Sequence, residues 1–232
     1  MIRVFIGYDK SETVAFHVLA HSIVMRSSEP VSVTGLVLNQ LPLWRERDER
    51  QSTDFAFSRF LVPSMCAFKG WAIFMDCDML CLGDIKELYD LRDDRYAVQV
   101  VKHNHVPRES EKFLGNVQLP YEKKNWSSVM LFNNALCPVL TPEYVNNASG
   151  LDLHQFRWLG SDELIGGLPS EWNHLVGYDE PKPAKLVHFT LGTPCFKKYR
   201  FCEYSKEWFE ESDRMLHYDR TGEFSRPDKE VI

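Results

Sequence analysis

The chain lacks the features that would place it across a membrane or on a nucleic acid. No apolar run approaches the roughly 18 residues of a spanning helix, and Met1-Ile2-Arg3-Val4 enters a strand-like run directly where a secretory leader would show a longer apolar stretch. A soluble, cytoplasmic protein is therefore expected, with at most peripheral contact with a membrane. Positive charge is in deficit: 27 Lys and Arg against 33 Asp and Glu leave a net charge of −6, no footprint for nucleic acid, although a nucleotide is not excluded. The six cysteines form no C-x-x-C pair of the zinc or redox kind, so reduced structural thiols are expected. There is no internal repeat and no low-complexity segment, which excludes solenoids and disordered arrays.

What the chain has is enough apolar sequence for one core. At 232 residues and 44% hydrophobic it has the size of a single α/β domain. The stretch Gly70-Trp71-Ala72-Ile73-Phe74-Met75-Asp76-Cys77-Asp78-Met79-Leu80 organises it. Trp71 to Met75 read as a strand buried on both faces, as in a mostly parallel sheet. Side chains two apart in an extended chain point the same way, so Asp76 and Asp78 project together from the strand's carboxyl end, where open α/β sheets bind ligands. Two carboxylates held that close repel unless a cation lies beside them, and they make a hard oxygen site suited to Mg²⁺ or Mn²⁺ with a bound diphosphate. A polar turn after a strand would use the same residues without binding anything.

Residues 2–6 read as a strand, Gly7-Tyr8-Asp9 as a tight turn, and Ser11 as a cap for an amphipathic helix reaching about Arg26 through Ala15, Val18, Leu19, Ser22 and Ile23. A second strand over residues 31–38 completes a right-handed βαβ unit whose first loop opens onto the ligand edge. There Gly7 would allow close backbone approach, Tyr8 would stack a base, and Asp9 would accept from a ribose or ring donor; a capped turn explains them equally. Residues 45–50 form a charged connection. Thr53 or Asp54 is expected to cap a helix over residues 55–63, kinked or ended by Pro63. Arg59 lies within that apolar element, where a guanidinium requires either an internal carboxylate or a donor phosphate or sugar.

Further along, residues 83–88 suggest a short helix and residues 96–101 a strand. Residues 103–122, with His103 and His105, form a polar connection long enough to be a lid or an acceptor surface. Residues 129–132 read as a buried strand, Thr141-Pro142 as a helix start, and residues 158–165 as the opening of a helix with Asp162 and Glu163 in its first turn. A strand over residues 185–190 contains His188 and leads into a loop with Gly192. A helix over residues 203–218 is expected to pack on the outside.

In this order the pieces resemble family 8 glycosyltransferases, the GT-A-fold group that includes glycogenin and enzymes of bacterial lipopolysaccharide biosynthesis. Val4-Phe5-Ile6-Gly7-Tyr8-Asp9 resembles the nucleotide-holding strand and turn, Phe57-Ser58-Arg59-Phe60 the donor-contacting arginine helix, and Phe74-Met75-Asp76-Cys77-Asp78 with Gly83-Asp84-Ile85 the D-x-D segment. Leu168-Pro169 with Trp172-Asn173 is similar to the L-P…W-N element, and Val187-His188-Phe189-Thr190 to the metal-binding histidine. The resemblance covers residues 2 to about 198. It implies a single GT-A-type, Rossmann-like domain over residues 1–200, with residues 201–232 forming a C-terminal helix and tail packed on it. It also implies a UDP-linked hexose donor, Mn²⁺ (or Mg²⁺) held by Asp76, Asp78 and His188, retention of configuration, and a glycan or glycolipid acceptor. Gly7, Tyr8, Asp9, Arg59, Asp76, Cys77, Asp78, Ser127, Ser128, Gly192 and Lys197 are the implied donor-site residues. The chain departs from the family in having Trp126-Ser127-Ser128 for N-A-G, Ser161-Asp162-Glu163 for D-Q, and a stretched segment from His188 to Lys197. Asp162 and Glu163 are accordingly the candidates to face the anomeric carbon. Two competing classes are an aspartyl-phosphate phosphohydrolase, which would carry its motif on the first strand, and a non-catalytic sugar-nucleotide or glycan-binding module.

Overall fold

The computed structural model describes residues 1–46, 51, 53–104 and 122–217. Strand β1 (Ile2–Gly7), helix α1 (Thr13–Arg26) and strand β2 (Val31–Leu36) form the expected βαβ unit, with β1 and β2 parallel over their whole length. Strand β3 (Trp71–Met75) lies parallel to β1 on its other side, pairing Val4 with Ile73 and Ile6 with Met75. The remaining strands are β4 (Met79–Cys81), β5 (Val98–Val100), β6 (Val129–Asn133), β7 (Ile165–Gly167), β8 (His174–Leu175) and β9 (Leu186–His188). The main sheet runs β2-β1-β3-β6-β5-β7 and is mostly parallel, with β6 antiparallel to both neighbours. A smaller sheet, β4-β9-β8, stands beside it. Ala72 to Met75 and Val129 to Phe132 are wholly buried, which is why both segments are apolar without alternation.

Short helices fill the connections: α2 (Val62–Met65), α3 (Ile85–Asp90), α4 (Pro142–Asn147) and α5 (Gly150–His154). Helix α4 starts as expected, with the Tyr144 N–H donating to Thr141 Oγ1 at 3.1 Å and Pro142 in the first turn. Three expectations are corrected. Asp9, not Ser11, caps the turn before α1: its Oδ1 accepts from Ser11 N at 2.9 Å and Ser11 Oγ at 2.6 Å. Pro63 neither kinks nor ends a helix over 55–63. It sits in the first turn of α2, where its missing N–H costs nothing, behind a 3₁₀ turn, Ser58–Leu61. Residues 158–165 are not an α-helix: Gly160 at φ +73° ends one 3₁₀ turn, Arg157–Leu159, and a second, Asp162–Leu164, follows before strand β7. Gly166 is what lets β7 close the sheet edge, since a Cβ there would stand 2.5 Å from the Tyr96 ring. Residues 105–121, the core of the proposed lid or acceptor surface, and residues 218–232 lie outside the described residues. Among the described residues no helix is long and apolar enough to cross a membrane.

Helix α6 (Ser205–Leu216) is held to α1 by the buried Glu211, whose carboxylate accepts from Arg26 Nη2 at 2.6 Å, Arg214 Nη2 at 2.7 Å and His21 Nδ1 at 2.6 Å. Burial by itself would push this carboxyl up, but the bonds from Arg26, Arg214 and His21 outweigh it and hold it at about 2, against an ordinary 4.5. Because the folded value is the lower one, the stabilisation is present above about pH 4.5 and is lost as pH falls towards 2. Glu211→Ala is expected to cost about 1.5–3 kcal/mol, the range for hydrogen bonds to charged groups. Melting curves should show a deficit at pH 7 that shrinks below pH 4; a deficit unchanged down to pH 3 would mean that packing, not charge, holds α6.

Candidate active site at the carboxyl edge of the sheet

Strands β1 and β3 run in the same direction, so Gly7-Tyr8-Asp9 and Asp76-Cys77-Asp78 leave the sheet at one edge. Because β6 is antiparallel, it enters at that same edge, and Asp76 N donates to Ser128 O at 3.0 Å. The chain then steps from β3 in the main sheet to β4 in the small one. Strand β9 pairs with β4 so that His188 lies opposite Met79, with Phe189 N donating to Asp78 O at 2.9 Å. One ligand atom each from Asp76, Asp78 and His188 then lies within 4.8 Å of the others, and His188 Nε2 is 3.3 Å from Asp78 Oδ1. Asp78 and His188 are buried, while the Asp76 side chain is 14% exposed, so the cluster opens towards Asp76. Two carboxylates and an imidazole suit Mn²⁺ or Mg²⁺ and leave coordination positions over.

Arg59 reaches this cluster from beneath. Its Nη1 donates to Ser127 O at 2.8 Å and lies 2.9 Å from Asp76 Oδ1, while the guanidinium packs 5.0 Å from the Phe74 ring centre. The internal ion pair weighed from the sequence is thus formed, on a carboxylate that also belongs to the cluster. Behind it stands His154, overlooked in the sequence reading: Nδ1 is 2.8 Å from Ser127 Oγ, and the ring meets Phe60 edge-on at 5.3 Å. Burial, reinforced by Arg59, pushes the His154 imidazole well below its usual range, so it is neutral and orients the Ser127 hydroxyl. No periodicity or spacing marks it, because its partners are distant in sequence.

The other candidates occupy several places in the fold. Asp9 is buried and ties the β1 turn to the next segment, its Oδ2 accepting from Asp54 N at 3.0 Å. What approaches Gly7 closely is the Phe55 ring: a Cβ would stand 2.3 Å from it. Tyr8 is half-buried, with its hydroxyl 3.0 Å from Thr13 Oγ1. Cys77 points away from the two aspartates into the core, as alternation requires, with Sγ 3.8 Å from Glu12 Oε2; burial and then Glu12 push its thiol well up. It is inert, in line with the expectation of reduced thiols, and all six cysteines are free. Gly192 is buried at φ +145°, a backbone state that demands glycine, and Lys197 is exposed. Asp162 and Glu163 are exposed just before β7, Asp162 paired with Lys123 Nζ at 2.5 Å; β7 runs parallel to β3, so its amino end is not the edge at which Asp76 and Asp78 leave the sheet. Asn173 was quoted only as part of a motif, yet it is wholly buried with Oδ1 3.0 Å from His188 Nδ1.

A mixed α/β sheet flanked by helices is the fold of GT-A glycosyltransferases, and the chain's similarities agree. The WbbM bifunctional glycosyltransferase superposes with a TM-score of 0.65 at 14% identity over 91% of this chain, which spans 49% of the WbbM chain, about half its length. The galactosyltransferase LgtC, solved with donor and acceptor sugar analogs, gives 0.58 at 11% identity over 95% of this chain and 98% of its own. At such identities the likeness is one of fold. Residues 32–137 match glycosyl transferase family 8. Protein CDI of Arabidopsis thaliana is 44% identical over 223 residues, 91% of this chain and 86% of its own. The chain belongs to glycosyl transferase family 8.

Proposed function

We propose that the protein transfers a hexose from a UDP-sugar to a glycan or glycolipid acceptor with retention of configuration, using Mn²⁺ (or Mg²⁺) held by Asp76, Asp78 and His188. The convergence of those three side chains within 4.8 Å, at the edge where the βαβ unit opens, carries this reading. A divalent ion there supplies Lewis-acid stabilisation of the leaving diphosphate. The chain's own groups do the rest: Tyr8 and Asp9 border the nucleoside, with Gly7 shaping the turn; Arg59 sets the charge beside Asp76; Ser127 and Ser128 line the sugar; and the loop from Gly192 to Lys197 closes over the phosphates. Cys77 contributes backbone only. The acceptor is met from the cytoplasm.

The test is thermal shift of the full chain against a panel of nucleotide sugars, with and without Mn²⁺. A ligand at 100 times its Kd stabilises by about 2.7 kcal/mol. A UDP-sugar should do so only with the metal, and transfer assays should release UDP. Equal UDP stabilisation in chelator refutes the metal site, whereas release of inorganic phosphate favours the phosphohydrolase and binding without turnover favours the non-catalytic module.

Asp162 and Glu163 are proposed to face the sugar and stabilise positive charge at the anomeric carbon, as carboxylates do in glycoside hydrolysis. Asp162→Asn and Glu163→Gln should then lower turnover more than donor affinity, with melting temperature unchanged. Parental turnover in both would move the search for the anomeric partner to residues 125–128.

A further inference from the structure

The hydrogen bonds behind His188 determine which ring nitrogen faces the carboxylates. Ser128 Oγ donates to Asn125 O at 2.5 Å, which uses the only proton of that hydroxyl. Its second contact, at 2.8 Å to Asn173 Nδ2, must therefore be one in which Asn173 donates. Nδ2 also approaches the Asn125 carbonyl at 3.4 Å, which can only accept. Both neighbours of that end of the amide are acceptors, so it is the NH₂ end, and the opposite end facing His188 Nδ1 at 3.0 Å is the carbonyl oxygen. An amide oxygen cannot donate. Nδ1 therefore carries the proton, and in the neutral ring the lone pair is on Nε2, which lies 3.3 Å from Asp78 Oδ1. Asn173 and His188 are both buried, so water does not compete for these bonds.

We infer that Asn173, oriented by Ser128, is the positioning residue that locks His188 in the Nδ1–H form and so presents Nε2 as a ligand to the cation. This rests on the cation reading of the cluster. Groups that orient a ligating histidine in this way typically change metal affinity 10–100-fold when removed.

The experiment uses the full chain with ¹⁵N-labelled histidine, the His188 signals being assigned by their absence in His188→Gln. In metal-free parent protein at pH 8, long-range ¹H–¹⁵N spectra should show His188 protonated at Nδ1. An Nε2–H pattern would overturn the inference, and because this readout needs no variant it survives any failure to fold. Free Mn²⁺ measured by electron paramagnetic resonance should show Asn173→Leu weakening the ion 10–100-fold. Asn173→Asp, whose carboxylate still accepts from Nδ1 while the Ser128 hydroxyl turns its proton from Asn125 O to the second carboxylate oxygen, should stay within about threefold of the parent. Leu binding as tightly as the parent, or Asp failing as badly as Leu, overturns the role of Asn173 alone. Parent protein that takes up no Mn²⁺ overturns the cation reading and the role together.

Discussion

Asp78→Asn is expected to lower sugar-transfer turnover by about 10²–10³, or roughly 2.7–4 kcal/mol, the range for losing one preorganised electrostatic partner of the transition state. The substitution preserves shape and leaves the Asp78 carbonyl bonded to Phe189 N, so the fold has little reason to respond. In the absence of metal its stability should if anything rise, because Asp76 and Asp78 are like charges brought together at a poorly hydrated strand end. Three readouts follow: turnover falls, the melting temperature in chelator holds or increases, and the stabilisation by Mn²⁺ seen with the parent disappears. Turnover within about tenfold of the parent, with Mn²⁺ stabilisation intact, would show that Asp78 is part of a polar turn and not of a cation site.

The parts of this site that could be read in the sequence share a physical property: local chemistry that conflicts with its surroundings. Asp76 and Asp78 stand out because carboxylates end a wholly buried strand, and Arg59 because a guanidinium interrupts an apolar run. The β1-α1-β2 unit was visible because two different periodicities succeed each other over short range. What was missed depends on partners far along the chain. The direction of β6 leaves no trace in Val129 to Phe132, since a strand buried on both faces looks the same either way, yet that direction puts Ser127 and Ser128 beside Asp76. His154 and Asn173 act on residues 27 and 15 positions away. The expected helix over 158–165 failed because acidic residues at a first turn mark the start of a 3₁₀ turn as well as a helix, and Gly160 with Gly166 decided for a turn followed by an edge strand.

Arg59 gives the second large effect, and here folding and chemistry can be separated. Its Nη1 serves the Ser127 carbonyl and the Asp76 carboxylate at once, inside walls made by Phe74 and Phe55. Arg59→Met keeps much of the packing but removes the guanidinium charge 2.9 Å from Asp76 Oδ1. Removing one partner of a buried ion pair costs about 3–5 kcal/mol. For a domain of this size that is a fall of roughly 6–20 °C in melting temperature. Since Asp76 belongs to the proposed cation cluster, Mn²⁺ should stabilise Arg59→Met more than it stabilises the parent, by placing positive charge beside the same carboxylate. Arg59→Lys retains the charge but not the planar fork. It should therefore melt close to the parent while transfer falls at least tenfold, about 1.4 kcal/mol, if the guanidinium also holds the donor. A lysine variant that melts far below the parent yet keeps its turnover number would confine Arg59 to the ion pair with Asp76. An Arg59→Met protein melting within about 2 °C of the parent would show that Asp76 is already hydrated through the open side of the cluster, and the charge balance proposed for the site would have to be redrawn with water in place of the arginine.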